Sequence, residues 1–253
     1  MELYNLNVIT PFKDLSLKTL KKTISPLRNQ NYIHINHFIV YDNSCEDLLL
    51  SSNLSENVAT DFYNVREICA EKSGIYSPIN QVLEKLNKED FYLVLGAGDI
   101  LNIRNKIETY NQDDFILIPY CLSSDREKVI NKFFSSIMLG MPYCHNAIIF
   151  KKNNLLYNKN YKLASDYDYL IRYLFELLKN KNENISLEFF ENYSSEISDS
   201  ALVTYDSENG LSKEKRIEGY REMAIIVLKY FGIFKVLIFC IHLILKRFKY
   251  IKI

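Results

Sequence analysis

The sequence predicts an α/β fold with a mostly parallel, doubly wound central sheet in a single domain, followed by a helical tail. Two observations lead there. Short apolar runs stop abruptly at turn formers, as in Phe91–Leu95 before Gly96–Asp99 and His37–Tyr41 before Asp42-Asn43-Ser44. Runs of this length with such boundaries read as buried strands. Between them lie stretches with apolar residues at helical spacing, and strands that alternate with helices pair in parallel.

Each element has its own signal. Leu6–Thr10 is the first strand, ended by Pro11. Leu15–Leu27 follows with helical spacing at Leu15, Leu20, Ile24 and Leu27 and lysines toward solvent. His37–Tyr41 is the second strand and Val58–Phe62 a candidate third. Pro78 stands near the first turn of a helix, where its missing N–H costs nothing, with Ile79, Val82, Leu83 and Leu86 on the inner face. Phe91–Leu95, Asp114–Pro119 and Ala147–Lys151 are further strands, and Asp166–Lys179 is an amphipathic helix. No internal repeat or low-complexity linker interrupts the chain, so the main domain is placed at 1–215 and the tail at 216–253.

Composition narrows the class. The 253 residues suffice for one large domain. Lys+Arg and Asp+Glu balance at 31 each, which excludes the basic surplus of a nucleic-acid binder. The five cysteines are scattered and odd in number, with no C-x-x-C pair, which argues against a disulfide framework or zinc site and for a reducing cytoplasm. MELYNLNVITPF has neither a basic n-region nor an apolar h-region, so no secretory signal is expected there.

In parallel sheets ligands gather at the carboxyl ends of the strands. Three polar loops follow strands here: Thr10-Pro11-Phe12, Asp42-Asn43-Ser44 and Gly96–Asp99. A nucleotide lying across them would meet Asp42 at its base and Asp99 at its diphosphate. Asp99 is either the N-cap of a helix beginning at Ile100 or a ligand for a divalent cation carrying phosphates. Gly96 and Gly98 are expected to let the backbone approach that ligand. Glu71–Asn80, with Gly74, reads as a loop able to close over a donor, and Asn80 is either a core amide or a ligand. His145 is either a structural hydrogen-bonding residue or a functional one. His34 and His37 fall on opposite strand faces and do not make a metal site. Asp166 is either a helix N-cap or a general base, while Asp168 lies about 200° around the helix and faces elsewhere.

These pieces resemble, in order, bacterial glycosyltransferase family 2 enzymes of the colanic-acid and O-antigen type, which have a GT-A fold. Val8–Phe12 is similar to that family's opening V-I-T-P-x strand and Ile39–Asp47 to its V-V-D-G-x-S-x-D loop. Gly74-Ile75-Tyr76 with Asn80 is similar to its D-K-G-I-Y-D-A-M-N stretch, and Leu95–Asp99 to L-N-A-G-D. Met141–His145 with Phe150-Lys151-Lys152 resembles M-P-x-x-H-Q-x-x-F-x-R-R, Ala164–Tyr169 resembles A-A-D-Y-D-L, and Gly210-Leu211-Ser212 matches a G-x-S. The likeness spans about residues 6–212. Lys72-Ser73, Ser77, Gly96 and Gly98 depart from the pattern, which leaves Asp99 as the evident metal ligand.

The resemblance implies an inverting transfer from a nucleotide-diphosphate sugar, UDP-linked by family habit, to a glycan or undecaprenyl-diphosphate-linked acceptor. It implies Mn2+ or Mg2+ on Asp99 and Asp166 as base. Thr10, Pro11, Phe12, Asp42, Gly74, Asn80, Gly98 and His145 would surround the donor. The rival readings are a degenerate member that binds nucleotide-sugar or glycan without turnover, and a nucleotidyltransferase. The second would want a Gly-rich, Lys- or Arg-bearing phosphate loop, and Thr10–Lys13 is a poor version of one.

The tail carries a separate signal. A helix is expected after Lys213 through Tyr230, then Phe231–Leu245 is nearly all apolar. A transmembrane span needs about 20 apolar residues, and Lys235 near the middle of Met223–Leu245 would cost roughly 2.5–3.5 kcal/mol on insertion. Lys235, His242, Lys246 and Lys249 fall within about 60° on a helical wheel. Such a basic stripe beside apolar residues suits a helix lying in the interface of the inner membrane's cytoplasmic face. The other reading is a helix packed on the main domain or on a partner subunit.

Overall fold

The computed structural model describes residues 2–12, 17–42, 60–70, 74–108, 115–130, 136–181, 200–206 and 215–247. The first apolar run becomes β1 (Asn5–Phe12), followed by α1 (Leu17–Asn29), β2 (His34–Asp42) and β3 (Tyr63–Ala70). Then come α2 (Tyr76–Leu83), β4 (Phe91–Val94), β5 (Ile100–Ile103), β6 (Phe115–Leu117), β7 (Tyr120–Leu122) and β8 (Asp125–Ile130). Two 3-10 turns, Ile137–Leu139 and His145–Ala147, precede β9 (Ile148–Lys151). The chain continues through α3 (Ser165–Lys181), β10 (Ala201–Tyr205), α4 (Arg216–Phe231) and α5 (Ile233–Arg247).

The central sheet has the order β3-β2-β1-β4-β9-β6. β1, β2, β3 and β4 run parallel, so the loops after β1, β2 and β4 open on one edge. The sheet is not purely parallel: β9 pairs antiparallel with both β4 and β6. A second sheet, β5-β10-β7-β8, is mixed and does not follow from the alternation of strands with helices.

Several boundaries move for physical reasons. β1 runs through Pro11, because its ladder with β4 ends at Ile9↔Val94 and the missing N–H falls where that side has no further pair. The third strand is Tyr63–Ala70 rather than Val58–Phe62, with Tyr63 and Val65 buried and Asn64 and Arg66 exposed; Val58 and Ala59 lie outside the described residues. The helix expected from Ile100 is a strand, since Leu101 and Ile103 are buried and Asn102 exposed, a period of two.

One apolar core unites the sheets and helices, and it includes Ile226, Val227 and Phe239 of the C-terminal helices. A polar chain crosses it: His37 Nδ1 pairs with the Tyr63 hydroxyl at 2.6 Å and its Nε2 with Thr10 Oγ1 at 2.8 Å. Burial keeps that imidazole neutral, with a pKa lowered to about 3. Both ring nitrogens are therefore satisfied by hydroxyls, which can donate or accept.

A buried carboxylate fastens α4 to α3. Asp168 is fully enclosed, accepts from Arg172 Nε at 2.7 Å and from the Tyr230 hydroxyl at 2.9 Å, and has Lys229 Nζ at 3.6 Å. Removing one partner of such a buried pair costs about 3–5 kcal/mol. α4 then ends at Gly232, whose φ of +81° turns the chain into α5. Among the described residues no helix is long and apolar enough to cross a membrane.

Candidate active site

The Gly96–Asp99 turn closes on itself: Asp99 N donates to Gly96 O at 3.0 Å, and Gly96 N donates to Asp99 Oδ2 at 3.0 Å. α1 holds the turn from behind, with Gly98 N donating to Thr23 Oγ1 at 2.9 Å. Gly98 has φ +101°, and a Cβ there would lie 3.0 Å from Thr19 Cγ2 and 3.2 Å from Asp206 Oδ2. A Cβ on Gly96 would sit 2.8 Å from Asp99 Oδ2. The two glycines thus make room for α1 and for the Asp99 carboxylate, where the sequence had suggested a ligand.

Asp99 is 2% exposed. Its Oδ2 also accepts from Asn146 Nδ2, and its Oδ1 accepts from Asp206 N at 2.8 Å. The second sheet supplies that last donor: the antiparallel register Thr204↔Ile100 carries the chain after β10 past Asp99. Burial raises the Asp99 pKa to about 6 against the pull of three hydrogen bonds, and the neighbouring Asp206 carboxylate adds to the rise. Two acidic side chains therefore meet at the carboxyl edge of β4. Among the described residues no group of three or more His, Cys, Asp or Glu could hold a metal ion.

Asp166 stands in the first turn of α3, half-buried, with Oδ1 accepting from Tyr167 N at 2.8 Å. Desolvation raises its pKa to about 6, opposed by main-chain hydrogen bonds and assisted by the charge of Glu222. It satisfies a helix-terminal N–H from within the first turn, since the helix already begins at Ser165 and the N-cap position falls before it. Burial pushes the Cys144 thiol up, and the charges of both Asp99 and Asp166 add to the rise.

The remaining candidates divide. Asn80 is 2% exposed and spends its amide on Tyr157, donating to its O and accepting from its N, each at 2.8 Å. His145 Nε2 pairs with the Tyr157 hydroxyl at 2.8 Å, while its buried Nδ1 has no partner. Burial holds this imidazole neutral, with a pKa lowered to about 3. Thr10 and Phe12 are in the core, so only their main chain faces the edge, and Pro11 is half-buried. Asp42 ends β2 on the same edge, while Asn43 and Ser44 lie outside the described residues. Gly74, exposed with φ +83°, precedes α2. Glu71–Ser73, Asp47 and Gly210-Leu211-Ser212 lie outside the described residues.

Asn146, Asp206 and Glu222 are site residues that the sequence does not single out. Asp206 alone had a local signal, an acidic residue directly after an apolar run, Ala201–Tyr205.

No protein-family model matches the chain, and no curated protein matches it. Solved structures do. Against S. aureus TarS 1-349 in complex with UDP-GlcNAc the chain is 17% identical, with a TM-score of 0.55 over 88% of this chain and 66% of that one. TarS 1-349 in complex with UDP gives 17% identity and a TM-score of 0.53 over 88% of this chain and 65% of that one. The mannosyltransferase PcManGT from Pyrobaculum calidifontis, in complex with GDP-Man and Mn2+, gives 10% identity and a TM-score of 0.50 over 87% and 62%. The chain thus spans about two-thirds of the length of these structures. At such identities the likeness shows the fold alone, a mixed α/β fold that these glycosyltransferases share.

Gly98→Ala is expected to destabilise the protein by more than the roughly 1–2 kcal/mol of a left-handed conformation, because its Cβ meets Thr19 and Asp206. Gly74→Ala has the same φ problem and nothing within 4 Å, so it measures the conformational part alone. Urea unfolding of both variants checks this, and equal losses would remove the packing argument.

Proposed function

We propose that this chain is an inverting glycosyltransferase that moves a sugar from a nucleotide-diphosphate sugar, a UDP-sugar foremost, to a glycan or undecaprenyl-diphosphate-linked acceptor. Bacterial surface polysaccharide synthesis, of the O-antigen, capsule or exopolysaccharide kind, is the setting that the family resemblance supplies. The observation that carries the reading is a desolvated carboxylate, Asp99, at the carboxyl end of β4, with a second one, Asp166, whose charge acts with it on the Cys144 thiol, in a fold shared with glycosyltransferases. UDP and UDP-GlcNAc in TarS and GDP-Man with Mn2+ in PcManGT support the donor class.

In this reading Asp166 takes the acceptor hydroxyl's proton as that oxygen attacks the anomeric carbon from the face opposite the diphosphate. The electron pair of the breaking anomeric C–O bond leaves with the nucleotide diphosphate. A pKa near 6 leaves Asp166 ionised at neutral pH and more basic than an exposed aspartate. Asp42 is assigned to the nucleotide base, and the unpartnered His145 Nδ1 to a polar group of the donor. Thr10, Pro11, Phe12, Gly74 and Gly98 would shape the cleft through main chain, and Asn80 would hold its wall by fixing Tyr157.

Mn2+ or Mg2+ fits the donor set in part. Asp99 Oδ1 accepts one hydrogen bond and Asp206 stands beside it, so both would hold a cation together with donor phosphates and water. Bound there, the cation would offset the charge that develops on the departing diphosphate. The hydrogen bonds already filling Asp99 favour a second reading, a binding protein of the same fold without turnover. UDP release from UDP-sugars separates the two.

We assign the tail to the cytoplasmic face of the inner membrane, peripheral to the domain at 1–215. Phe239 is 1% exposed, and Val236 and Leu243 pack on the core. Ile233, Phe234, Leu237, Ile238, Ile241, Ile244 and Leu245 are exposed and cover an arc of about 140° on α5. Half-buried Lys235 and His242 lie at the border between the two faces. An apolar face edged by basic residues suits an anionic lipid interface.

Asp166→Asn is expected to lower turnover of a UDP-sugar by about 10²–10⁴-fold with UDP affinity kept. The wild-type rate should fall below pH 6 as Asp166 and Asp99, each with a pKa raised to about 6, take up protons. Full turnover by Asp166→Asn would remove it as the base.

UDP with Mn2+ should raise the melting temperature more at pH 7.5 than at pH 5. The raised Asp99 pKa means that, without a cation, stability present below about pH 4 is lost as pH rises through about 6. The cation relieves that loss only where the carboxylate is ionised. An equal shift at both values, or one that survives Asp99→Ala, would place the cation elsewhere.

Phe234→Glu combined with Ile241→Glu leaves the packed face of α5 intact. This variant should no longer co-sediment with phosphatidylglycerol vesicles, whereas the wild type should. Unchanged sedimentation would rule out the lipid face.

A further inference from the structure

Glu222 lies on α4, beyond the segment that the family resemblance covers. Its Oε1 accepts from Lys162 N at 2.9 Å, and its Oε2 accepts from Leu163 N at 2.8 Å and Ala164 N at 2.9 Å. These three residues run directly into Ser165 and Asp166. None of Lys162, Leu163 and Ala164 carries a side-chain acceptor, and the acceptor for their N–H groups comes from Glu222, 58 residues beyond Ala164. α2 grips the same turn through the Tyr76 hydroxyl, which donates to Leu163 O at 3.1 Å.

We propose that Glu222 is a positioning residue for Asp166: one carboxylate on α4 binds three consecutive N–H groups and so fixes where the base enters the cleft. The proposal rests on reading Asp166 as the base. It makes α4 part of the catalytic apparatus. The Asp168 cluster, with Lys229 and Tyr230 of α4, keeps the two helices in register so that Glu222 reaches the turn.

The electrostatics agree with the geometry. Among the described residues, the ionisable side chains coupled to Asp166 are Tyr76 from α2, Tyr157 ahead of α3, Cys144 ahead of β9 and Glu222 from α4. Burial pushes both tyrosines and the thiol far up, so they stay neutral at pH 7. Glu222 is therefore the charge that acts on the base.

The test uses the full chain with carbon-13-labelled aspartate carboxyls, titrated by NMR, alongside amide hydrogen exchange. Glu222→Gln should raise the acidity constant of Asp166 threefold or more and speed exchange at Lys162, Leu163 and Ala164 tenfold or more. UDP release from UDP-GlcNAc with Mn2+ should fall at least tenfold in kcat, with the UDP dissociation constant within twofold of wild type. An unmoved Asp166 titration with unchanged exchange overturns the proposal. Should Glu222→Gln not fold, Glu222→Asp decides, since it keeps the charge but is one methylene short of the turn. Exchange at 162–164 then rises with the Asp166 titration kept, or the proposal is overturned. Wild-type turnover by Asp166→Asn would sink the base assignment alone, because titration and exchange still report on Glu222.

Discussion

The Asp99 side chain accepts hydrogen bonds from three segments far apart in sequence: Gly96 on its own turn, Asn146 ahead of β9, and Asp206 after β10. β9 belongs to the central sheet and β10 to the second one, so this carboxylate ties the sheets together where β4 ends. An ionised acceptor strengthens each of these bonds, and leaving one of their buried donors unpaired would cost about 1–3 kcal/mol. Burial in turn penalises that charge: ionising a carboxyl whose pKa stands near 6 instead of 3.8 costs about 3 kcal/mol at neutral pH. The turn is consequently well fixed in place and under-compensated in charge. That combination is useful at a site that must hold a cation or a polar ligand only when one arrives.

What was legible in the sequence follows from which forces are local. The parallel strands β1, β2 and β4 announced themselves through apolar runs ended by turn residues, and Asp99 stood out as the acid at the end of one of them. The second sheet did not. Ile100–Ile103 is four residues long, directly after a turn, and its pairing with Ala201–Tyr205 depends on a partner about 100 residues away. Val58–Phe62 misled because an apolar and β-branched composition says nothing about register, whereas the burial of Tyr63 and Val65 is set by β2. Asn146 and Glu222 act through contacts with no sequence spacing at all.

Asp166 and Asp168 show how environment divides two identical side chains. Two residues apart on a helix, they face about 200° from one another. Asp168 turns toward α4 and collects Arg172, Lys229 and Tyr230, which use up its charge in holding the fold. Asp166 meets main-chain donors and, among the described residues, an unfavourable neighbour in Glu222. The two carboxylates thus differ in their neighbours, with cations and a hydroxyl around Asp168 and a like charge near Asp166.

The tail brings these threads together. Its two helices give Val227, Ile226 and Phe239 to the core, Asp168's partners to α3, and Glu222 to the turn before Asp166. Only after these contacts are made does α5 leave an apolar face uncovered. An exposed face of that kind on a water-facing helix opposes solubility unless something covers it. A lipid surface with anionic headgroups would cover it and meet Lys235 at its border. On the proposed reading, the same pair of helices that meets lipid also carries Glu222 to the turn before Asp166. In that reading attachment and catalysis share a structural element, since the helix that carries Glu222 runs through Gly232 directly into the lipid-facing one.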